Sequence, residues 1–123
     1  MHELKILPEY FEQVFAGEKT FEIRKDDRGY QTGDLLHLKE FGIDGYTGKS
    51  VLVRVTYITA FKQELGYVVM AIKEPGFEVL NSLFGYDKAA NLTMGEEPIW
   101  VLEQATDEDL EANIMAVDSG DVI

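Results

Sequence analysis

The chain has 123 residues, 46% of them hydrophobic and 11% aromatic, which is enough apolar content for one folded domain and too much for a disordered chain. Its 23 acidic and 11 basic residues leave a net charge of −12, which argues against nonspecific coating of a nucleic-acid backbone, a mode that needs many lysines and arginines. The absence of cysteine excludes disulfides, cysteine-ligated zinc, iron–sulfur clusters and thiol catalysis.

In chain order, Leu4–Leu7 reads as a short first strand. Pro8 suits the first position of a helix, where its missing N–H costs nothing, and Glu9 and Glu12 suit the dipole of the first turn. Phe11, Val14 and Phe15 share one helical face, and Gly17 stops the helix, although Leu7 is a poor N-cap. Thr20–Lys25 alternates, with Phe21 and Ile23 expected in the core and Thr20, Glu22 and Arg24 on the outer face. Asp26–Gly29 is a polar turn, and Gly33-Asp34 opens a strand that runs through Leu35, Leu36 and Leu38 to Phe41. Gly42, Asp44-Gly45 and Gly48 mark a glycine-rich hairpin loop. Val51–Phe61 is a long strand with Val51, Val53, Val55 and Tyr57 on one face, and Tyr67–Ile72 is a short buried one. Together these predict a mainly β fold with some helix (α+β), a small barrel with an early helix against it.

After Lys73 the character changes. Pro75-Gly76 breaks the strand pattern, and Phe77, Leu80 and Phe84 predict a short amphipathic helix ending at Gly85. Ile99–Leu102 reads as an extra strand, and Thr106 as the cap of a final helix carrying Leu110 and Ile114. Residues 1–73 hold 10 basic and 11 acidic residues, a net −1, whereas residues 74–123 hold 1 basic and 12 acidic, a net −11. The organisation expected is a barrel over 1–73 and an acidic extension over 74–123 packed on the same domain. The plain account of that acidity is a solvated surface. An alternative is a protein partner reached through the extension, as an inhibitor imitating nucleic acid or as a gate over the chain's own cleft.

One cluster rises above ordinary surface: Gly17-Glu18-Lys19-Thr20-Phe21-Glu22-Ile23-Arg24. A helix stop followed by a strand gathers an ammonium, a hydroxyl, a carboxylate and a guanidinium, groups able to read a base edge and hold a phosphate. By spacing alone, the favoured reading is an ordinary surface ion pair of Glu22 with Arg24 or Lys19, contributing at most about 1 kcal/mol.

The order glycine, one residue, lysine, two residues, glutamate, one residue, arginine resembles the signature of the ASCH domain, a PUA-like β-barrel family. His2–Ile6, Phe21–Lys25 and Gly66–Met70 resemble a bacterial and phage branch of it whose function is unassigned; the resemblance spans about residues 2–73. It implies RNA or nucleotide binding in a cleft shaped by Gly17 and lined by Lys19, Glu22 and Arg24, with Thr20 adding a hydroxyl. Lys25 and Arg28 are candidates for a positive rim, with simple surface as their plainer reading, and Tyr30, Tyr46 and Tyr67 are candidate stacking faces, with core or rim packing as theirs.

The chain also resembles an ASCH branch that hydrolyses acetylcytidine with a lysine, a threonine and a glutamate. Lys19 matches the lysine; Glu22 stands where that branch has threonine, and Glu64 is a candidate for the later glutamate. Lys19 and Glu22 are therefore the catalytic candidates if the protein is an enzyme, an amidohydrolase or a ribonuclease of the ASCH type. A lysine acting as nucleophile or base has to shed its proton, which a neighbouring carboxylate opposes. His2 and His37 form no catalytic or ligand motif, and His37 is expected on a strand surface or lining the barrel. No metal and no cofactor is expected: Asp107–Asp109 are consecutive rather than alternating, and neither a phosphate-cradling glycine loop nor a dinucleotide fingerprint is present. With no run of about 18 apolar residues and no basic-then-apolar leader in Met1–Lys5, the expected setting is cytoplasmic, without a membrane partner.

Overall fold

The computed structural model describes residues 1–93, with side chains through Asn91. Five strands and three helices follow one another: β1 (His2–Ile6), α1 (Pro8–Phe15), β2 (Phe21–Lys25), β3 (Leu35–Gly42), β4 (Gly45–Thr59), β5 (Tyr67–Lys73), α2 (Phe77–Phe84) and α3 (Tyr86–Thr93). The strands form one curled half-barrel sheet in the order β1-β3-β4-β5-β2. The β1–β3 pair is parallel and the other three are antiparallel. Among the described residues strand thus outweighs helix, and no helix of them is long and apolar enough to cross a membrane.

The concave face carries the core. Leu4 and Ile6 of β1, Leu36 and Leu38 of β3, Val51, Val53 and Val55 of β4, and Val68, Met70 and Ile72 of β5 pack under Phe11 and Val14 of α1. Alternation of large apolar residues with polar ones puts the former inside, as period-2 patterning requires. Helix α1 starts without a side-chain cap at Leu7 and relies on Pro8 at its first position. Its Phe15, on the helical face shared with Phe11 and Val14, is 49% exposed and stacks beside Phe11 at a centroid distance of 6.2 Å.

Three strand features differ from the sequence reading. In β2 the faces are reversed: Glu22 and Arg24 are fully buried, while Phe21 lies outside at 41% exposure. The register explains the reversal, because Glu22 pairs with core-facing Met70 and Arg24 with core-facing Val68. In β4 the register shifts between Val55 and Tyr57, so Tyr57 is turned out to solvent and Ile58 packs on the core instead. The same strand begins at Gly45 rather than Val51, leaving Ile43-Asp44 as a tight hairpin loop closed by Gly42 and Gly45 and placing Gly48 within the strand.

Helices α2 and α3 sit on the opposite, convex face. Leu80 and Ala89 pack on Leu52 of β4, with Leu35 and Phe77 at the margin. Helix α3 was not expected: Tyr86–Asn91 shows no apolar stripe, and Ala89 is the residue it buries. The expected strand at Ile99–Leu102 and the expected helix after Thr106 lie outside the described residues.

Strands β1 and β2 are the two edges of the sheet, and side chains join them. The Arg24 guanidinium donates to the Lys5 carbonyl at 2.6 Å, and Arg28 donates to the Glu3 carbonyl at 3.1 Å. Edge carbonyls that a closed barrel would satisfy with a backbone ladder are met here by guanidinium groups.

At the top of that seam His2 and Asp34 are in contact at 2.9 Å, and Asp34 also accepts from the Gln31 N–H at 2.9 Å. Burial alone raises the Asp34 carboxyl. The Gln31 N–H, the His2 hydrogen bond and the charges of His2 and the N-terminus outweigh it and hold the group below its ordinary 3.8. A carboxyl lowered on folding stabilises above its unfolded value, and that contribution disappears as pH falls through the folded one. Between pH 5 and pH 3 the wild type is therefore expected to lose more stability than Asp34→Asn, read as the difference between their urea midpoints at each pH.

Candidate functional site

The glycine-to-arginine motif is built from the end of α1 into β2. Gly17, at φ +77°, takes the left-handed conformation that stops the helix. Its N–H donates to the Val14 carbonyl at 3.0 Å, and those of Glu18 and Lys19 both donate to the Gln13 carbonyl, at 2.9 and 3.0 Å. This tight exit folds the chain back, so that Lys19 turns toward β2 rather than away from it.

Lys19, Glu22 and Arg24 converge. The Lys19 ammonium donates to Glu22 Oε1 at 2.7 Å and to the Phe21 carbonyl at 2.8 Å. Arg24 Nε donates to the other carboxylate oxygen, Oε2, at 3.0 Å. Both oxygens of Glu22 are thereby held by cations, and Arg24 reaches on to the Lys5 carbonyl of the far edge strand. The outward-facing ion pair expected from spacing is instead a buried network whose charged groups are hydrogen-bonded, the condition under which buried charge is tolerated. Two cations against one anion leave the trio with one positive charge.

Only the lysine end of this network approaches the surface. The Lys19 side chain is 9% exposed, and its ammonium lies 5.6 Å from the Tyr10 ring centroid and 4.8 Å from that of Phe21. Phe21, assigned to the core by alternation, is the exposed member of this group. Tyr10 and Phe21 are the site residues that sequence reasoning missed. The available signal was positional: Tyr10 lies on α1, Phe21 is two residues after Lys19, and both become neighbours only once Gly17 reverses the chain.

The remaining candidates are more scattered. Thr20 is exposed, and its carbonyl extends the sheet by accepting from the Ile72 N–H at 3.0 Å. Lys25 is exposed at the end of β2, directly across from half-buried Tyr67. Arg28 is committed to the seam and to Asp27, 3.7 Å away, and is not free rim charge. Tyr30 is 6% exposed and meets the His2 ring edge-on at 4.9 Å, so it is core rather than a stacking face. Tyr46 packs edge-on against Phe41 at 5.1 Å. Glu64 is exposed in the loop before β5, and among the described residues no hydrogen bond or ion pair joins it to Lys19. His37 is 3% exposed within β3 and hydrogen-bonded to Ser50 Oγ at 2.7 Å.

Over 59 residues the chain is 42% identical to the uncharacterized 12.9 kDa protein in GpA 3′ region of Escherichia phage P2, a stretch covering 48% of this chain and 54% of that protein. The chain thus spans about half the length of this curated relative. The model of a domain of unknown function, DUF3850, matches residues 1–72, which hold the whole sheet but for its final residue, helix α1 and the Lys19–Glu22–Arg24 network; the chain belongs to the DUF3850 family.

Proposed function

We propose that this protein is an RNA- or nucleotide-binding module of the ASCH type, within the PUA-like superfamily, and that it meets its ligand at Lys19. The observation that carries this reading is the ammonium of Lys19, fixed from behind by the buried Glu22–Arg24 pair and flanked by the exposed ring of Phe21. A cation beside an open aromatic face is the minimal equipment for one phosphate and one stacked base. Gly17 shapes the turn and Thr20 adjoins it, while Lys25 and Tyr67 stand at the far end of β2, where a longer ligand would reach them. Glu22 and Arg24 act as positioning residues, since neither side chain is exposed.

With one cation at the contact and an overall charge of −12, binding depends weakly on salt. The expected slope of log affinity against log salt is about −0.7, that of a single phosphate contact on a single strand. Titration of short RNA oligonucleotides and free nucleotides is the test. Phe21→Ala is expected to weaken binding by about 1–3 kcal/mol, the worth of one stacked base. Lys19→Ala is expected to remove the salt slope. Wild-type affinity in both variants would exclude the site. Acetylcytidine belongs in the same series: turnover lost in Lys19→Ala would replace binding with hydrolysis as the function of this lysine.

A further inference from the structure

A second cluster stands on the convex face, away from the motif. Glu3 and Lys5 of β1 lie beside His37 and Lys39 of β3 in parallel register, and Lys39 lies across from Ser50 of β4. Contacts link Glu3 to Lys39 and His37, and His37 to Ser50, while Lys5 and Tyr46 meet at the Phe41 ring. Lys5 is 9% exposed and Lys39 6%, and lysines are almost never buried to this degree without a partner.

Their charges do not balance. Glu3 is the carboxylate of the group, lying 3.5 Å from the Lys39 ammonium and 3.9 Å from His37 Nδ1. The Lys5 ammonium rests 4.4 Å over the Phe41 ring and has no hydrogen bond or carboxylate among the described residues. A ring face offsets only part of the desolvation of an ammonium. Beside Phe41, the Tyr46 hydroxyl is buried with no hydrogen-bond partner among the described residues. Burial, and then the charge of Glu3, push the Tyr46 phenol up, so it stays a donor at neutral pH. Glu40, the nearest other acid on β3, faces the other way and accepts from Thr47.

We infer that Lys5, Lys39 and the Tyr46 hydroxyl form a binding site for a phosphate group. Among the described residues, two ammonium ions and a phenol are donors without enough acceptors, and an anion would complete the group. Lysine, a point charge with three donors, suits the oxygens of a phosphate, whereas paired recognition of a carboxylate favours the fork of arginine. The near-complete burial of both lysines rules out a duplex backbone and fits a small phosphate, free or at the end of a nucleotide. Glu3, whose side chain is 34% exposed, marks the solvent side of the cluster. This site is independent of the one at Lys19, and neither depends on the other being correct.

Inorganic phosphate titrated into the full chain by calorimetry in a phosphate-free buffer provides the test. The wild type is expected to bind at one saturable site. Lys5→Met and Lys39→Gln each remove one charged donor and are expected to bind roughly tenfold to a hundredfold more weakly, while Lys62→Ala, in the exposed loop before β5, binds as the wild type does. Tyr46→Phe deletes one oxygen and no packing; it is expected to weaken binding severalfold and keeps the test open should a lysine variant fail to fold. A nucleoside 5′-monophosphate binding more tightly than inorganic phosphate identifies a nucleotide as the source, and equal binding identifies free phosphate. Absence of saturable binding, equal affinity in the wild type and all three cluster variants (an adventitious ion only), or equal affinity for the nucleoside without its phosphate would each overturn the inference.

Discussion

Arg24→Ala is expected to destabilise the protein by about 3–5 kcal/mol, the cost of leaving a buried charge without its partner. Two losses combine. Glu22, fully buried, keeps Lys19 on one oxygen but loses the donor to the other. The Lys5 carbonyl on β1 loses the guanidinium that ties it to β2, which leaves Arg28 to bridge the two sheet edges. Glu22→Gln is expected to cost less, about 1–3 kcal/mol, because the amide keeps the shape and one acceptor oxygen. Urea denaturation of the three proteins measures both values. A change in Arg24→Ala below about 0.5 kcal/mol would be that of an exposed ion pair and would contradict the buried network.

The same residues show what could and could not be read from the sequence. Most strand and helix positions through Ile72 follow from alternation, Pro8 and the turn glycines, although β4 starts at Gly45 rather than Val51, and the grouping of Lys19, Glu22 and Arg24 is what the family resemblance implies. The face of β2 follows from neither. Periodicity of two divides Phe21 and Ile23 from Glu22 and Arg24 but cannot say which pair turns inward, and hydrophobicity favours the wrong one. The inward choice is decided by a need that arises only in three dimensions: two sheet edges lie close enough for a guanidinium to bridge them. Tyr57 fails for a related reason, since a one-residue shift after Val55 inverts the pattern and has no glycine or proline to announce it. The Lys5–Lys39 cluster was equally hidden. Each lysine alternates normally in its own strand, and their proximity depends on parallel pairing between strands separated by a helix and a third strand.

The convex face supplies the remaining large effect. Leu80→Ala is expected to cost about 2–5 kcal/mol, the usual range for a fully buried leucine, because Leu80 is 1% exposed and central to the small cluster with Leu52 and Ala89. The consequence is expected to be local. The main core of Leu4, Leu38, Val53, Met70 and their neighbours lies on the other face and contains no residue of α2 or α3. The family match likewise ends at residue 72, before α2 begins at Phe77. Detaching the helices therefore exposes Leu52 and Leu35 without dissolving the half-barrel. Hydrogen exchange reads this directly: amides of α2 lose protection in Leu80→Ala while those of Leu38 and Val53 keep theirs. Equal loss in both regions would mean that sheet and helices unfold as one unit, and that the acidic extension is part of what holds the barrel together.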